Sequence, residues 1–352
     1  MAKLRLGVIG AGSWTVASHL PNLAKRRDEL EFVGVCRKGP ELLQKIKDDW
    51  GFQVASEDYR DVIDAGMGIC LVGSPHGLHH EHAKAAMEAG AHVLCEKPFT
   101  VKPEDAWDLV ETADRKGLHL VVAYGWNYLP WTQEAKRLMD EHGIGEVEES
   151  AIQMASVTRE LLANLAAYPQ ASPEAIPEQA TWTDPANGGG YGQAQLTHAL
   201  GMALWLTGLR GDAAFALMKS VLDAPVEHHD AVVIRYGNGS IGTMSGASNH
   251  TGALDNRHEL EIRAVGSEGE LVIDLGRDHL WLWRNDGFEA KPEVEPGGFF
   301  YNCDGPPNTL VDLALGKDVP NCSPGELGAR TVEILDAAYR SAASGQLESI
   351  RR

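Results

Sequence analysis

From residue 4 onward, short apolar runs alternate with amphipathic stretches. Val/Ile/Leu-rich runs at 4–9, 31–36, 68–73, 91–95 and 118–124 predict strands, and the periodicity over 14–25, 41–51, 79–90 and 102–116 predicts helices between them. Strands without polar alternation are buried on both faces, so this third of the chain reads as a parallel sheet covered by helices. After Tyr124 the rhythm changes. A strand at 148–157 is followed by a Pro- and Ala-rich excursion at 160–185. That stretch exceeds an ordinary connection and reads either as a lid over a site or as low-complexity chain. Gly188-Gly189-Gly190 opens a helix that runs through Leu206. Extended segments follow at 214–222, 230–236, 240–248, 258–265, 270–275 and 279–283, with a hairpin signal at Gly237-Asn238-Gly239. A helix over 324–344 closes the chain. The predicted class is α/β: an α/β domain over 1–125, then an α+β domain over 126–352 with an open, largely antiparallel sheet. The last helix is a candidate to pack back on the first domain.

Composition narrows the function classes. A chain of 352 residues with 43% hydrophobic side chains can fill two cores. Thirty-one Lys and Arg against fifty Asp and Glu give a formal charge of −19, which disfavours nucleic acid and anionic membranes as partners. Local cations could still meet an anionic ligand. The cysteines Cys36, Cys70, Cys95, Cys303 and Cys322 are odd in number and lack CxxC spacing, which points to a reducing compartment and away from disulfides or structural zinc. The N-terminus enters a strand without a signal-peptide pattern, and no apolar run reaches transmembrane length, so a cytoplasmic location is expected.

The candidate chemistry gathers at strand ends. The first strand runs into Gly10-Ala11-Gly12-Ser13-Trp14, the strand-to-helix loop of a dinucleotide fold. Gly10 permits the tight turn and Gly12 lets the backbone approach a pyrophosphate at the helix N-terminus, although Thr15 stands where a third glycine is usual. The second strand ends in Cys36-Arg37-Lys38, where NAD-preferring folds place an acid. Two cations there suit a 2′-phosphate and favour NADP, or are solvated surface charges. Ser74-Pro75-His76 with His79 follows another strand and reads as a loop beside the nicotinamide half of the cofactor rather than a metal site. Glu96-Lys97-Pro98 puts an ammonium at the carboxyl end of a sheet strand, on a turn the proline enforces. Lys97 is therefore either a turn lysine or a group that orients substrate or exchanges protons. Beyond the glycine cluster, Tyr191, Gln195 and His198 share one face at α-helical spacing. His198 reads either as an interior histidine or as part of a site.

Taken together, the phosphate loop with His19 after it, Ser74-Pro75-His76 with His79, Glu96-Lys97-Pro98, the glycine cluster leading to His198 and Val265-Gly266-Ser267-Glu268-Gly269 resemble the Gfo/Idh/MocA family. These are relatives of glucose–fructose oxidoreductase and inositol dehydrogenase. The resemblance implies a Rossmann domain, a C-terminal domain whose open sheet forms a homodimer or homotetramer face, and NAD or NADP as cofactor. It implies hydride transfer at a sugar, sugar acid or cyclitol, with Lys97 and His198 touching the reacting carbinol and Glu96 beside the cofactor. Trp126, Asn127, Tyr128, Trp182, Tyr191 and Gln195 are candidate substrate contacts, because aromatic faces and amides suit polyols. Other branches use transient oxidation to cleave glycosides, and a cofactor-binding sensor without turnover is a further alternative. One departure stands out. Many members carry an aspartate four residues before the histidine, and here that position is Ala194.

Overall fold

The computed structural model describes residues 3–165, 180–249 and 258–351. Most of the 160–185 excursion, which sequence reads as lid or low-complexity chain, lies outside the described residues; short helical turns, α7 (Arg159–Leu162) and α8 (Ala180–Thr183), flank that gap. The chain divides into two compact units, and residues 303–329 join the first although they lie between stretches of the second in sequence.

The first unit is a parallel sheet of six strands: β1 (Leu4–Ile9), β2 (Leu30–Cys36), β3 (Val54–Ser56), β4 (Ile69–Val72), β5 (His92–Cys95) and β6 (Leu120–Val122). Their order, β3-β2-β1-β4-β5-β6, reverses direction between β1 and β4. In such sheets ligands bind at the carboxyl ends of the strands, at that reversal. The strands are short and almost wholly apolar; Val8, Ile9, Val72 and Val93 have no exposed surface. Each such side chain contributes roughly 1.5–3 kcal/mol on burial. Between the strands lie α1 (Leu20–Ala24), α2 (Pro40–Trp50), α3 (Tyr59–Asp64), α4 (His79–Glu88) and α5 (Pro103–Lys116). Strand β3 and helix α3 escape the sequence reading, being three and six residues long. The returning segment covers the edge of β6: Val122 N–H donates to Ser323 O at 2.8 Å, and Ser323 Oγ donates to Val122 O at 2.6 Å. An open strand edge is thus paired rather than left to meet another chain.

The second unit is built on a sheet of nine strands: β7 (Val147–Val157), β8 (Gly211–Lys219), β9 (His229–Tyr236), β10 (Ile241–Asn249), β11 (Glu259–Gly266), β12 (Gly269–Asp274), β13 (His279–Arg284), β14 (Glu289–Ala290) and β15 (Glu348–Ser349). Strands β7 and β10 pair in parallel, and the other pairings are antiparallel. β9 and β10 form the hairpin that the Gly-Asn-Gly signal predicts. Helix α6 (Pro130–Glu141) was not anticipated, and α9 (Thr197–Thr207) crosses the inner sheet face, nearly all of it buried. β9 and β10 alternate buried and exposed residues, so one face is core and the other carries exposed Leu217, Val233 and Ile241. Helix α10 (Gly305–Ala314) lies in the first unit, and α11 (Gly325–Ser344) starts there and continues into the second.

Candidate active site

The first unit holds the phosphate loop and the Glu-Lys-Pro turn. Gly10 leaves β1 at φ +87°, and a Cβ there would overlap the backbone of Ser74, at the end of β4. Glycine is therefore required for the two strand ends to approach. Thr15, in place of the third glycine, donates its hydroxyl to Gly10 O at 3.1 Å and stiffens the loop. A helix opens at Ser13, so its first N–H groups point out of the loop, which suits a pyrophosphate. A Cβ on Gly12 would meet nothing nearer than Gly73 O at 3.9 Å. The cradle is open where a dinucleotide backbone would lie, so these residues fit the cofactor that the loop predicts.

The same helix becomes a π-helix over Thr15–His19, and His19 reaches the Glu-Lys-Pro turn. Its Nε2 lies 2.6 Å from Glu96 Oε1, while Glu96 Oε2 accepts the Lys97 N–H at 3.0 Å. Burial pushes the Glu96 carboxyl up, but the His19 bond and the neighbouring Lys97 hold it below the usual value. Burial pulls the Lys97 ammonium below the ordinary lysine value, and the Glu96 charge opposes that shift. The Lys97–Pro98 peptide is cis. His79 spans the two loops, with Nδ1 2.8 Å from Pro98 O and Nε2 2.8 Å from Ser74 O. His82 adds a 2.9 Å contact from Nδ1 to Ser74 Oγ, and His76 packs near the His79 ring. Pro75 is exposed, and Ser13 and Trp14 begin the helix. The Arg37 guanidinium donates to Ala11 O at 3.2 Å, so it lies against the phosphate loop, while exposed Lys38 donates to Glu57 O. Burial raises the Cys36 thiol to about 11, and the Glu57 carboxylate, which accepts the Gly39 N–H at 2.6 Å, lies beside the end of β2.

The second unit holds the imidazole. His198 sits in the first turn of α9, and rings enclose it: Trp126 stands edge-on at 4.9 Å, Tyr301 at 5.7 Å and Tyr124 at 6.0 Å. Trp126 also meets His258 at 5.2 Å and Tyr301 at 4.4 Å. Tyr301 and His258 carry no motif; the sequence hint is an aromatic run, Phe299-Phe300-Tyr301, beside a glycine pair. Asn127 is fully buried next to Trp126, and Tyr128 and Trp182 are partly buried.

One expectation is corrected. Tyr191, Gln195 and His198 do not form one α-helical face, because Gly192–Leu196 is a π-helix with a wider turn. Tyr191 turns into the sheet instead: its hydroxyl accepts from Ser156 Oγ at 3.1 Å and donates to Met154 O at 3.2 Å. Gln195 is buried within the π-helix.

Comparison with known proteins defines the lineage. Residues 4–124 match the model of an oxidoreductase family with an NAD-binding Rossmann fold, and residues 132–272 match the GFO/IDH/MocA C-terminal domain. The chain belongs to the Gfo/Idh/MocA family. Among its curated relatives, the D-glucoside 3-dehydrogenase of Escherichia coli K12 is 31% identical over 147 residues, which is 42% of either chain and so less than half of that enzyme. The levoglucosan dehydrogenase of Pseudarthrobacter phenanthrenivorans is 26% identical over 318 residues, 79% of this chain and 75% of the relative. A solved structure of levoglucosan dehydrogenase in complex with NADH and levoglucosan superposes with a TM-score of 0.77 over the whole of both chains at 21% identity, a likeness of fold. Among the described residues, no group of His, Cys, Asp and Glu is arranged to hold a metal ion, and no helix is long and apolar enough to cross a membrane.

The buried His19–Glu96 contact has a measurable consequence. His19→Ala is expected to destabilise the protein by about 3 kcal/mol near neutral pH, because it strips a partner from a buried carboxylate. A carboxyl held below its unfolded value contributes stability above that value and loses it as pH falls through the folded one. The deficit of His19→Ala should therefore narrow on acidification; a deficit constant with pH in urea unfolding would contradict the assignment.

Proposed function

We propose that the protein is an NAD(P)-dependent dehydrogenase moving hydride between nicotinamide and a secondary carbinol or ketone of a sugar, sugar acid or cyclitol. The observation that carries this reading is the Glu96-Lys97-Pro98 turn, tied by His19 to the helix of the phosphate loop. A bound nicotinamide supplies the hydride donor or acceptor. Lys97 hydrogen-bonds the reacting oxygen and stabilises the charge that develops on it. Its depressed pKa eases proton exchange without removing its capacity to donate. His198 takes or returns the hydroxyl proton, the work an imidazole does near neutrality. Trp126, Tyr301 and Asn127 offer aromatic faces and an amide to a polyol, and the substrates in the relatives' names support that class. A screen of glucosides, levoglucosan, inositols and hexuronates, read by reduced-nicotinamide absorbance, tests the activity. Lys97→Ala should lower kcat on the best substrate at least ~10²-fold. Undiminished turnover in that variant would end its assigned role.

NADP is the proposed preference. Support comes from Arg37 and Lys38 after β2, the first of which lies against the phosphate loop. NADPH should bind more tightly than NADH in fluorescence titrations, and Lys38→Glu should narrow the ratio by about tenfold. Equal wild-type affinities would discard the preference.

The exposed apolar side chains of the second sheet, Leu217, Val233 and Ile241, fit a homodimer or homotetramer face. A cytoplasmic setting suits the five buried cysteines. Light scattering should give a multimer for the wild type and a smaller species for a Leu217→Lys, Val233→Glu double variant; a monomeric wild type would refute the assembly.

A further inference from the structure

The first turn of the helix leading to His198 is capped by groups that are distant in sequence. Glu227, two residues before β9, is buried, and its Oε1 accepts the Gly192 N–H at 3.0 Å and the Tyr339 hydroxyl at 2.6 Å. The Tyr339 oxygen in turn accepts the Gln193 N–H at 3.2 Å, and Tyr191 N–H donates to Glu227 O at 3.2 Å. These are the N–H groups that a helix start leaves without partners of its own. The glycines make the arrangement possible. A Cβ on Gly190 would collide with the Glu227 carboxylate, and one on Gly192 would lie 2.8 Å from the Tyr339 hydroxyl.

The cap is linked to the imidazole through the backbone. Gly192 O accepts the Thr197 N–H, which closes the π turn one residue before His198. Thr197 Oγ1 is itself 3.1 Å from the Tyr124 hydroxyl, which lies 2.6 Å from Thr331 Oγ1. A shift at Gly192 therefore passes straight into the turn that aims His198.

We propose that Glu227 and Tyr339 are positioning residues for His198, fixing the start of its helix and with it the direction of the imidazole. This rests on the role given to His198 above. Asp230 completes the arrangement. It lies on the inward face of β9 with 4% of its surface exposed, and among the described residues neither carboxyl oxygen has a hydrogen-bond partner. Gly246 leaves it room, since a Cβ there would stand 2.8 Å from Asp230 Oδ2 and from the Tyr191 ring. Of two neighbouring buried acids, the one that receives donors ionises and the other keeps its proton. Burial raises both carboxyls, but the Tyr339 hydroxyl and the backbone N–H groups oppose the shift at Glu227, whereas burial and then the nearby Glu227 push Asp230 well above the usual value, so Glu227 is the more readily ionised of the two.

The test uses the holoenzyme loaded with whichever of NAD and NADP binds more tightly, and histidine labelled at the ring carbon, the His198 signal being assigned by its loss in His198→Gln. Glu227→Ala and Tyr339→Phe should each move the His198 resonance and lower kcat at least tenfold on the best sugar of the screen, with KM within threefold. Glu227→Gln keeps an acceptor for both donors and should recover most of the loss. An unmoved His198 signal in Glu227→Ala and Tyr339→Phe overturns the proposal, as does a fall in melting temperature with kcat retained. Should Glu227→Ala fail to fold, Tyr339→Phe, which loses a single oxygen, decides. Should the wild type turn over no sugar, the proposed activity fails separately, and the His198 resonance still tests the cap.

Discussion

Burying the Glu96 carboxyl is the constraint from which much of the first unit follows. A carboxylate taken out of water needs partners, and its partners are His19 and the backbone of the following lysine. The helix after β1 widens into a π turn where His19 sits, and the turn after β5 is pinned at the lysine. The phosphate loop and Lys97 are thereby parts of one framework. His79 extends it by joining the ends of β4 and β5 through Ser74 and Pro98. The ammonium of Lys97 is carried at the end of this framework, buried beside the Glu96 charge.

The second unit solves a related problem with different means. Its site helix starts in the interior, where unpaired N–H groups would be costly. A carboxyl group from the segment before β9 and a tyrosine from α11 satisfy them. Glycines mark the places where these groups come close: Gly190 and Gly192 at the helix start, Gly246 opposite Asp230. The glycine cluster is less a flexible hinge than a gap cut to the shape of a carboxylate.

This gives a physical setting to the family's missing aspartate. Ala194 leaves His198 without an acid four residues earlier, and the rings of Trp126, Tyr124 and Tyr301 surround the imidazole instead. Carboxyl groups are present in the unit, but they serve the helix start. Aromatic edges stand around the ring where the family's pattern would put a charge.

Periodicity alone located most of the strands and long helices, because their burial pattern is local and repeats along the chain. The glycine loop and the Glu-Lys-Pro turn were equally legible, since each is a short motif whose geometry is written in adjacent residues. The short strand at 54–56 and helix at 59–64 were not, for too few residues share a period. Nor could α-helical spacing reveal the π turn that takes Tyr191 off the His198 face; that depends on where Gly192 is held. Tyr301 has only the hint of an aromatic run beside a glycine pair, and His258, Glu227, Asp230 and Tyr339 carry no local signal. Their meaning arises from strands and helices far apart in sequence meeting in one core, and only tertiary packing brings a carboxylate to a backbone N–H thirty-five residues away.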